Sequence, residues 1–576
     1  MFTVGIAAKL LEVLGCLGIF LFGMKVLSEG IQKTAGQKMR QIMATMTTNR
    51  VAGVGTGFIT TCMLQSSSAT TVIVVSFVNA GLLTLVESIG VIMGANLGTT
   101  LTAWIIAAVG KFSISKLAIP IVGIGLPLLF IGKNKWKSLG EVLIGFGLLF
   151  LGLGLLKDAV PDVKNLLVST DPVEKANAEA VLNWIKSLSG YGYGSILMFL
   201  TLGVILTLAV QSSSAAMAIT VTLAINGWIG FEESAAIVMG ENIGTTITAW
   251  LAALGANVSA KRAARAHFMF NILGVLWMLI VFYFFTEFVV WLGEHMPESF
   301  RTENHTSDIG FNLAIFHSLF NLTNIVLLVG FVPIIAKIVT RWVKEKDAGM
   351  EGRARLTYIS QGLVDVGELN LPEAQNATRG MARLTADMFK GFVDVLNRPD
   401  EDLTERVAVL KNMEDESDNM MNDITNYLVR CSTGELSDEN AASITAMMRI
   451  VAELEEIADC EYRLMKLVER KYNKKHAFIP EPVQTLNKFS STVLEFIEMY
   501  NDKLFTPVTA TDLRVANRLE NAIDDMRKDL NHKAVGRMQE GKGTIQVEML
   551  NIDINNQFEK IGNHALHVLE TAQELV

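Results

Sequence analysis

Residues 65–104, QSSSATTVIVVSFVNAGLLTLVESIGVIMGANLGTTLTAW, recur as residues 211–250, QSSSAAMAITVTLAINGWIGFEESAAIVMGENIGTTITAW. Of the 40 aligned positions 19 are identical without a gap, and the identities include polar residues that shared hydrophobicity alone would not repeat. An offset of 146 carries Gln65-Ser66-Ser67-Ser68 onto Gln211-Ser212-Ser213-Ser214, and Glu87 onto Glu233. It also carries Gly94-x-Asn96-x-Gly98-Thr99-Thr100 onto Gly240-x-Asn242-x-Gly244-Thr245-Thr246. Each Gln-Ser-Ser-Ser cluster interrupts an apolar stretch halfway, 51–82 in one copy and 195–229 in the other. A straight membrane helix is poor there, because the bilayer core offers polar groups no water.

The repeat extends outward. Gly18-Ile19-Phe20-Leu21-Phe22-Gly23 is echoed by Gly147-Leu148-Leu149-Phe150-Leu151-Gly152 at an offset of 129, so the second copy holds a 17-residue insertion before its polar cluster. That insertion lies in the acidic segment 158–190. A third echo, His267-x-x-Phe270-Asn271 against His317-x-x-Phe320-Asn321, falls wholly in the second half. Apolar stretches near the 20 or so residues a bilayer requires occur at 5–28, 86–109, 114–132, 138–156, 233–254, 266–291 and 311–340. The first has no small-residue cleavage site after it and reads as an uncleaved membrane helix.

Charge divides the chain. Residues 1–343 hold 21 Lys and Arg against 17 Asp and Glu, whereas the remainder holds 28 against 41. The net −9 of the 576 residues therefore averages two unlike parts, which excludes a soluble enzyme of uniform composition, and the acidic tail argues against nucleic-acid binding. Basic loops at 33–50, 133–137, 261–265 and the exit at Arg341 and Lys344 face the cytoplasm by the positive-inside rule. The acidic stretches 158–179 and 287–308 then face outward. The trace closes only if 51–82 and 195–229 each enter and leave on one side, as re-entrant hairpins dipping from opposite faces. Such inverted repeats are the arrangement of alternating-access transporters. Cys16, Cys62, Cys431 and Cys460 show neither metal-ligand nor disulfide spacing and read as reduced or buried thiols. No catalytic triad, metalloprotease helix or Walker loop is present, so neither an enzyme nor an ATP-driven pump is supported.

The polar clusters suggest a chemistry. At a hairpin tip, serine hydroxyls, a glutamine amide and backbone N–H groups at a helix start form a compact set of neutral donors, aided by the positive end of the helix dipole. That set suits a tetrahedral oxyanion that must be released again. The plainer alternative, serines bonded within their own helices, explains a single Ser-Ser-Ser better than two in register. Asn96, Asn242, Thr99, Thr100, Thr245 and Thr246 offer oxygens to an ion, and their flanking glycines permit local unwinding. Glu87 reads as part of a capping box opened by Thr84, and Glu233 as its counterpart after Gly230. Glu241 stands where the first copy has Ala95 and reads as a cation ligand or a pore-facing charge. His267 and His317 read as hydrogen-bonding residues at helix interfaces.

With both motifs intact over residues 10–340, the sequence resembles the bacterial branch of the type II sodium–phosphate cotransporter family. The resemblance implies a polytopic membrane transporter with inverted repeats (about 10–132 and 138–340) and two re-entrant hairpins that carries inorganic phosphate with Na+ across the inner membrane. It implies phosphate contacts from Gln65, Ser66, Ser67, Gln211, Ser212 and Ser213. It implies Na+ contacts from Ser68, Asn96, Thr99, Thr100, Ser214, Asn242, Thr245 and Thr246. The loop that vertebrate members tie with a disulfide has no cysteine here.

Beyond a boundary near residue 345, segments 376–397, 402–430, 438–471, 481–503, 510–537 and 544–574 show helical periodicity, with breaks at Pro399, Gly434, Pro480-Pro482 and Gly541-Gly543. Six helices predict a soluble bundle of two three-helix units. A faint repeat supports this, 413–418 matching 519–524 and 454–460 matching 558–564. This half resembles the PhoU family of helical bundles. The resemblance implies a cytoplasmic regulatory domain over 346–576 and divalent metal binding by Glu414, Asp418 and Asp459 in one unit and Glu520 and Asp524 in the other, where Asn563 stands at a position that is often Asp. A cytoplasmic regulatory protein is the implied macromolecular partner. Phosphate export, a membrane-anchored signalling scaffold, and transport of another oxyanion such as sulfate remain open at this point, as does the oligomeric state.

Overall fold

A computed structural model describes residues 2–44, 49–79, 83–111, 115–132, 135–254, 256, 258–301, 308–344, 371–397, 403–432, 438–473, 480–542 and 544–575. The boundary near 345 and the breaks at Pro399 and Gly434 lie outside them. Nearly every described residue is helical and none lies in a strand. The described residues to Lys344 form one compact unit and those from Leu371 a second.

The first unit opens with α1 (Phe2–Ala44), α2 (Arg50–Leu64), α3 (Ser67–Asn79), α4 (Leu85–Lys111), α5 (Ser115–Ile131) and α6 (Lys135–Ala159). The insertion supplies α7 (Val163–Leu167) and α8 (Pro172–Leu188). The second copy continues as α9 (Tyr193–Val210), α10 (Ser213–Ile225), α11 (Phe231–Gly244) and α12 (Thr246–Ala252), followed by α13 (Val258–Glu294), α14 (Ile309–Leu328) and α15 (Val332–Trp342). Local chemistry sets the starts. Asn49 accepts from the amides of Val51 and Ala52, Asp162 and Asp171 cap α7 and α8, and Asp308 caps α14. The Thr84–Glu87 capping box forms, the Glu87 carboxylate accepting from the Thr84 amide at 2.8 Å.

Two expectations need correction. The stretch 233–254 is not one helix but α11 and α12, parted at Thr245, whereas 311–340 runs as α14 and α15 through a 3₁₀ turn over Val329–Phe331 and keeps membrane length. The basic stretch 33–50 is helical as far as Ala44 rather than a loop.

Among the described residues six helical segments are long and apolar enough to cross a membrane: Leu11–Thr34, Leu85–Val109, Lys135–Leu167, Tyr193–Val210, Val258–Glu294 and Ile309–Trp342. Their outer faces expose large apolar side chains, Ile280 at 79% and Phe284 at 74% among them, which lipid rather than water would cover. The helices α2 and α3, of 15 and 13 residues, reach only about 20 Å each, short of a bilayer core of about 30 Å.

Packing follows the repeat. Helix α2 lies on α4 as α9 lies on α11, while α3 packs on α12 and α13, and α10 on α4 and α14. The second arm of each interrupted stretch thus touches both copies, since α3 also packs on α4 and α10 on α11. The glycines of the Gly-x-Asn-x-Gly motif do not unwind α4, which is continuous, whereas α11 ends at Gly244; in both copies they let helices touch. A Cβ on Gly94 would collide with the Val54 carbonyl, and one on Gly240 with that of Leu200. On Gly98 and Gly244 it would stand 2.6 and 2.7 Å from the Cβ of Thr61 and Thr207.

The second unit is α16 (Leu371–Leu396), α17 (Thr404–Cys431), α18 (Asp438–Asn473), α19 (Pro480–Lys503), α20 (Ala510–Gln539) and α21 (Ile545–Ala572). Helices α16, α17 and α18 pack mutually, as do α19, α20 and α21, and α18 on α21 and α16 on α19 join the two triplets. Phe389, Phe392, Phe489 and Phe558 meet at their junction with ring centroids 4.8–6.1 Å apart. Pro480 and Pro482 start α19 rather than merely separating helices, in keeping with the tolerance of a first helical turn for proline.

Candidate functional site

Gln65 and Gln211 both adopt the left-handed conformation, with φ/ψ of 50°/26° and 55°/24°, at the ends of α2 and α9. An L-residue other than glycine loses about 1–2 kcal/mol there, so glycine or asparagine is the usual occupant. Glutamine twice in equivalent places means that its side chain, not its backbone, accounts for the choice. Sequence reading located the two residues but held no signal for this conformation.

The serines that follow begin the next helices. Ser66 Oγ accepts from the Ala69 amide at 3.1 Å and Ser212 Oγ from the Ala215 amide at 3.2 Å. Each cap takes one of the four amides that a helix start leaves without an intrahelical partner. Ser67, Ser212 and Ser214 are buried and Ser66, Ser68 and Ser213 partly so. Gln65 is tied into its own copy: its amide donates to the Cys62 carbonyl at 2.6 Å and its carbonyl accepts from Thr102 at 3.3 Å. Gln211 is exposed. Ser68 instead receives a bond from Thr248, the second-copy counterpart of Thr102, at 3.2 Å.

The asparagines are buried beside histidines. His267 Nε2 donates to Asn96 Oδ1 at 3.2 Å and His317 Nε2 to Asn242 Oδ1 at 3.3 Å. The echo noticed within the second half therefore serves both copies, one His-x-x-Phe-Asn on α13 and one on α14. The first set is closed further, Asn96 donating to Asn271 Oδ1 at 2.8 Å. In the second, Asn242 Nδ2 and Asn321 Oδ1 are buried without a hydrogen-bond partner among the described residues. Thr99, Thr100, Thr245 and Thr246 each donate to a carbonyl one turn back, to Ala95, Leu97, Glu241 and Ile243, which leaves their oxygen lone pairs able to accept or to ligate a cation.

In the second unit the acidic residues sit beside cations on their own helices: Glu414 with Lys411, Asp459 with Arg463, and Asp524 with Arg527 and Lys528. Asp418 faces Glu455 on α18, where burial first and then the charges of Asp459, Glu456 and Asp418 push the Glu455 carboxyl up to about 7. Glu520 lies near Asp524 and Glu559, and burial with these charges raises its pKa as well. Glu559 accepts from Asn563 at 3.0 Å. A ligand set that sequence reading missed is Glu453 with His564 and His567, whose ligand atoms lie within 4.8 Å of one another, His564 Nδ1 being 2.7 Å from Glu453 Oε2. The i,i+3 spacing of the two histidines was visible, but the glutamate comes from another helix.

The Na+/Pi-cotransporter description matches residues 19–158 and 166–293, and the PhoU domain description residues 378–468. A Salmonella typhimurium protein named "Putative inorganic phosphate export protein YjbB" is 23% identical over 559 residues, 96% of this chain and 95% of that one. "Uncharacterized protein YqeW" of Bacillus subtilis is 30% identical over 306 residues, 53% of this chain and 92% of that one. The rat "Sodium-dependent phosphate transport protein 2A" is 39% identical over 107 residues, 18% of this chain and 17% of that one. Both glutamine tips and the His267–Asn96 pair fall within the first match and most of the first helical triplet of the second unit within the PhoU match, and the chain belongs to the Na+/Pi-cotransporter family, as a multi-pass membrane protein with a C-terminal PhoU domain.

Proposed function

We propose that the protein moves inorganic phosphate across the bacterial inner membrane in company with Na+, by alternating access around two re-entrant hairpins, α2–α3 and α9–α10, of opposite orientation. The observation that carries the reading is the pair of glutamines held in the left-handed conformation immediately before serine-capped helices. Backbone strain retained at two equivalent points favours a role in binding. Gln65, Ser66, Ser67, Gln211, Ser212 and Ser213 are the proposed phosphate contacts. The oxygens of Ser68, Asn96, Thr99, Thr100, Ser214, Asn242, Thr245 and Thr246 are the proposed Na+ contacts. Domain boundaries of 1–345 and 346–576 belong to the same reading, with the second domain cytoplasmic and regulatory.

Export is the second reading, favoured by similarity along nearly the whole chain to a protein named for phosphate export. The signs differ: symport with an inward Na+ gradient drives phosphate in, so export requires phosphate's own gradient or exchange. Purified protein in liposomes, loaded with radiolabelled phosphate inside or outside under imposed Na+, K+ or proton gradients, separates them. Na+-dependent phosphate flux supports the proposal, and none in either orientation overturns it. Ser66→Ala and Ser212→Ala should each lower flux while the protein still inserts; normal flux in both removes these serines from the site.

A further inference from the structure

Aligning the two copies by their sequence offset shows a buried carboxylate–hydroxyl pair in the second that the first lacks. Glu241 is 2% exposed and its Oε1 accepts from Thr220 at 2.7 Å. At the equivalent places the first copy has Ala95 and Val74, both fully buried. The fold therefore packs this spot with apolar side chains, and nothing in its architecture demands a carboxylate. A buried carboxylate is among the costliest groups to place without a compensating charge. Among the described residues Glu241 has no basic partner, and its Oε2 has no hydrogen bond at all. The surroundings are open in the same sense. Thr61 donates to Thr70 in the first copy at 2.9 Å, but Ala216 replaces that acceptor in the second, and the buried hydroxyl of Thr207 is left without a partner. Thr207 packs against Gly244, one turn along α11 from Glu241. Asn242 Nδ2, next in sequence, is also unpartnered.

We propose that Glu241 and Thr220 form a Na+ site present in the second copy alone, the carboxylate supplying the negative charge for one transported ion. This rests on the sodium-coupled reading above and assigns it an asymmetric ligand. A hard monovalent cation takes oxygen ligands, and a carboxylate with a hydroxyl beside it in a dry interior binds such an ion more strongly than neutral oxygens do.

The test is equilibrium binding of 22Na+ to the purified full-length protein without phosphate, together with the ratio of 22Na+ to 32P-phosphate taken up by proteoliposomes. Glu241→Gln should lose one bound Na+ per protein and lower the flux ratio by one. Thr220→Val should keep the count and raise half-saturating Na+ about tenfold, the loss of one oxygen ligand. The double variant Thr220→Val/Glu241→Ala recreates the pair the first copy already accommodates, so it should fold and behave as Glu241→Gln. Unchanged Na+ stoichiometry in both Glu241 variants overturns the site while leaving sodium coupling intact. Wild-type Na+ binding that is lost in the variants, with phosphate flux indifferent to Na+, supports the site and refutes coupling. Absence of Na+ binding to the wild type overturns both.

Discussion

Replacing Gln211 by alanine and, separately, by glycine isolates backbone strain from side-chain function at one tip. The residue sits at φ 55° and ψ 24°, and its amide nitrogen bonds to the Thr207 carbonyl at 2.7 Å, a contact both variants keep. Its side chain is exposed, so neither substitution opens a cavity. Alanine retains the left-handed strain of about 1–2 kcal/mol, whereas glycine relieves it and returns about 0.5–1 kcal/mol in greater unfolded-state entropy. The glycine variant should therefore be the more stable of the two by about 1 kcal/mol, read from paired unfolding titrations in the same detergent. Phosphate transport should respond to the lost amide alone: both variants should raise half-saturating phosphate roughly fivefold to tenfold, the value of one neutral hydrogen bond. Equal stabilities would refute the strain argument, and unchanged phosphate half-saturation in either variant would remove Gln211 from the binding site. Gln65 is the less clean position, because its side chain also holds Cys62 and Thr102.

Gly240→Ala should cost about 1–3 kcal/mol through overpacking against the Leu200 carbonyl and lower flux by moving the α9 tip, whereas Gly55→Ala, at a glycine with open space around it, should do neither; thermal unfolding and flux of the pair check this. In the second unit, Glu461 is fully buried and neither carboxylate oxygen has a partner among the described residues, and burial holds its pKa well above the usual carboxylate range. A raised pKa means the folded state keeps a proton that the unfolded chain releases, so stability falls by about 1.4 kcal/mol per pH unit as pH climbs from near 4.5 toward the folded value. Glu461→Met should remove that slope, checked by hydrogen exchange of α18 between pH 5 and 8; an unaltered slope would contradict it. Zn2+ should bind the Glu453, His564 and His567 set, since two imidazoles and a carboxylate suit that metal. His564→Ala with His567→Ala should lose one Zn2+ by elemental analysis, and Glu414→Gln with Asp418→Asn should not.

The sequence was most legible where one local rule acts alone. Duplicated motifs, apolar length and caps such as Thr84–Glu87 depend on near neighbours, and the helices of the second unit end within a few residues of where periodicity puts them. What stayed hidden depends on distant partners. Gly94 and Gly240 read as points of unwinding because a glycine in a helical pattern looks the same whether it bends the helix or admits another against it. His267 and Asn96 are 171 residues apart, and only their packing explains why a His-x-x-Phe-Asn motif occurs twice in one half and nowhere in the other. The left-handed glutamines run against residue preference altogether, which is where a functional demand overrides local propensity.

The two copies are alike in the residues offered to ligands and unlike in what surrounds them. Every group offered for an oxyanion, the glutamine and the first two serines, is duplicated, and the caps they make differ by only 0.1 Å in length. Their surroundings are not alike, since the Gln65 side chain bonds to Cys62 and Thr102 while Gln211 is exposed, and only two identical halves would make the inward and outward forms equal in energy. The groups without a like counterpart are Glu241 with Thr220, the buried Thr207 hydroxyl and Asn242 Nδ2 that have no partner among the described residues, and Asn226 at the end of α10, which donates to the Lys157 and Val160 carbonyls at the start of the insertion. A bias of about 1.4 kcal/mol from such differences shifts the ratio of the two states tenfold. If the two copies exchange roles during transport, the unmatched groups are where a preference of the empty carrier for one side has to come from.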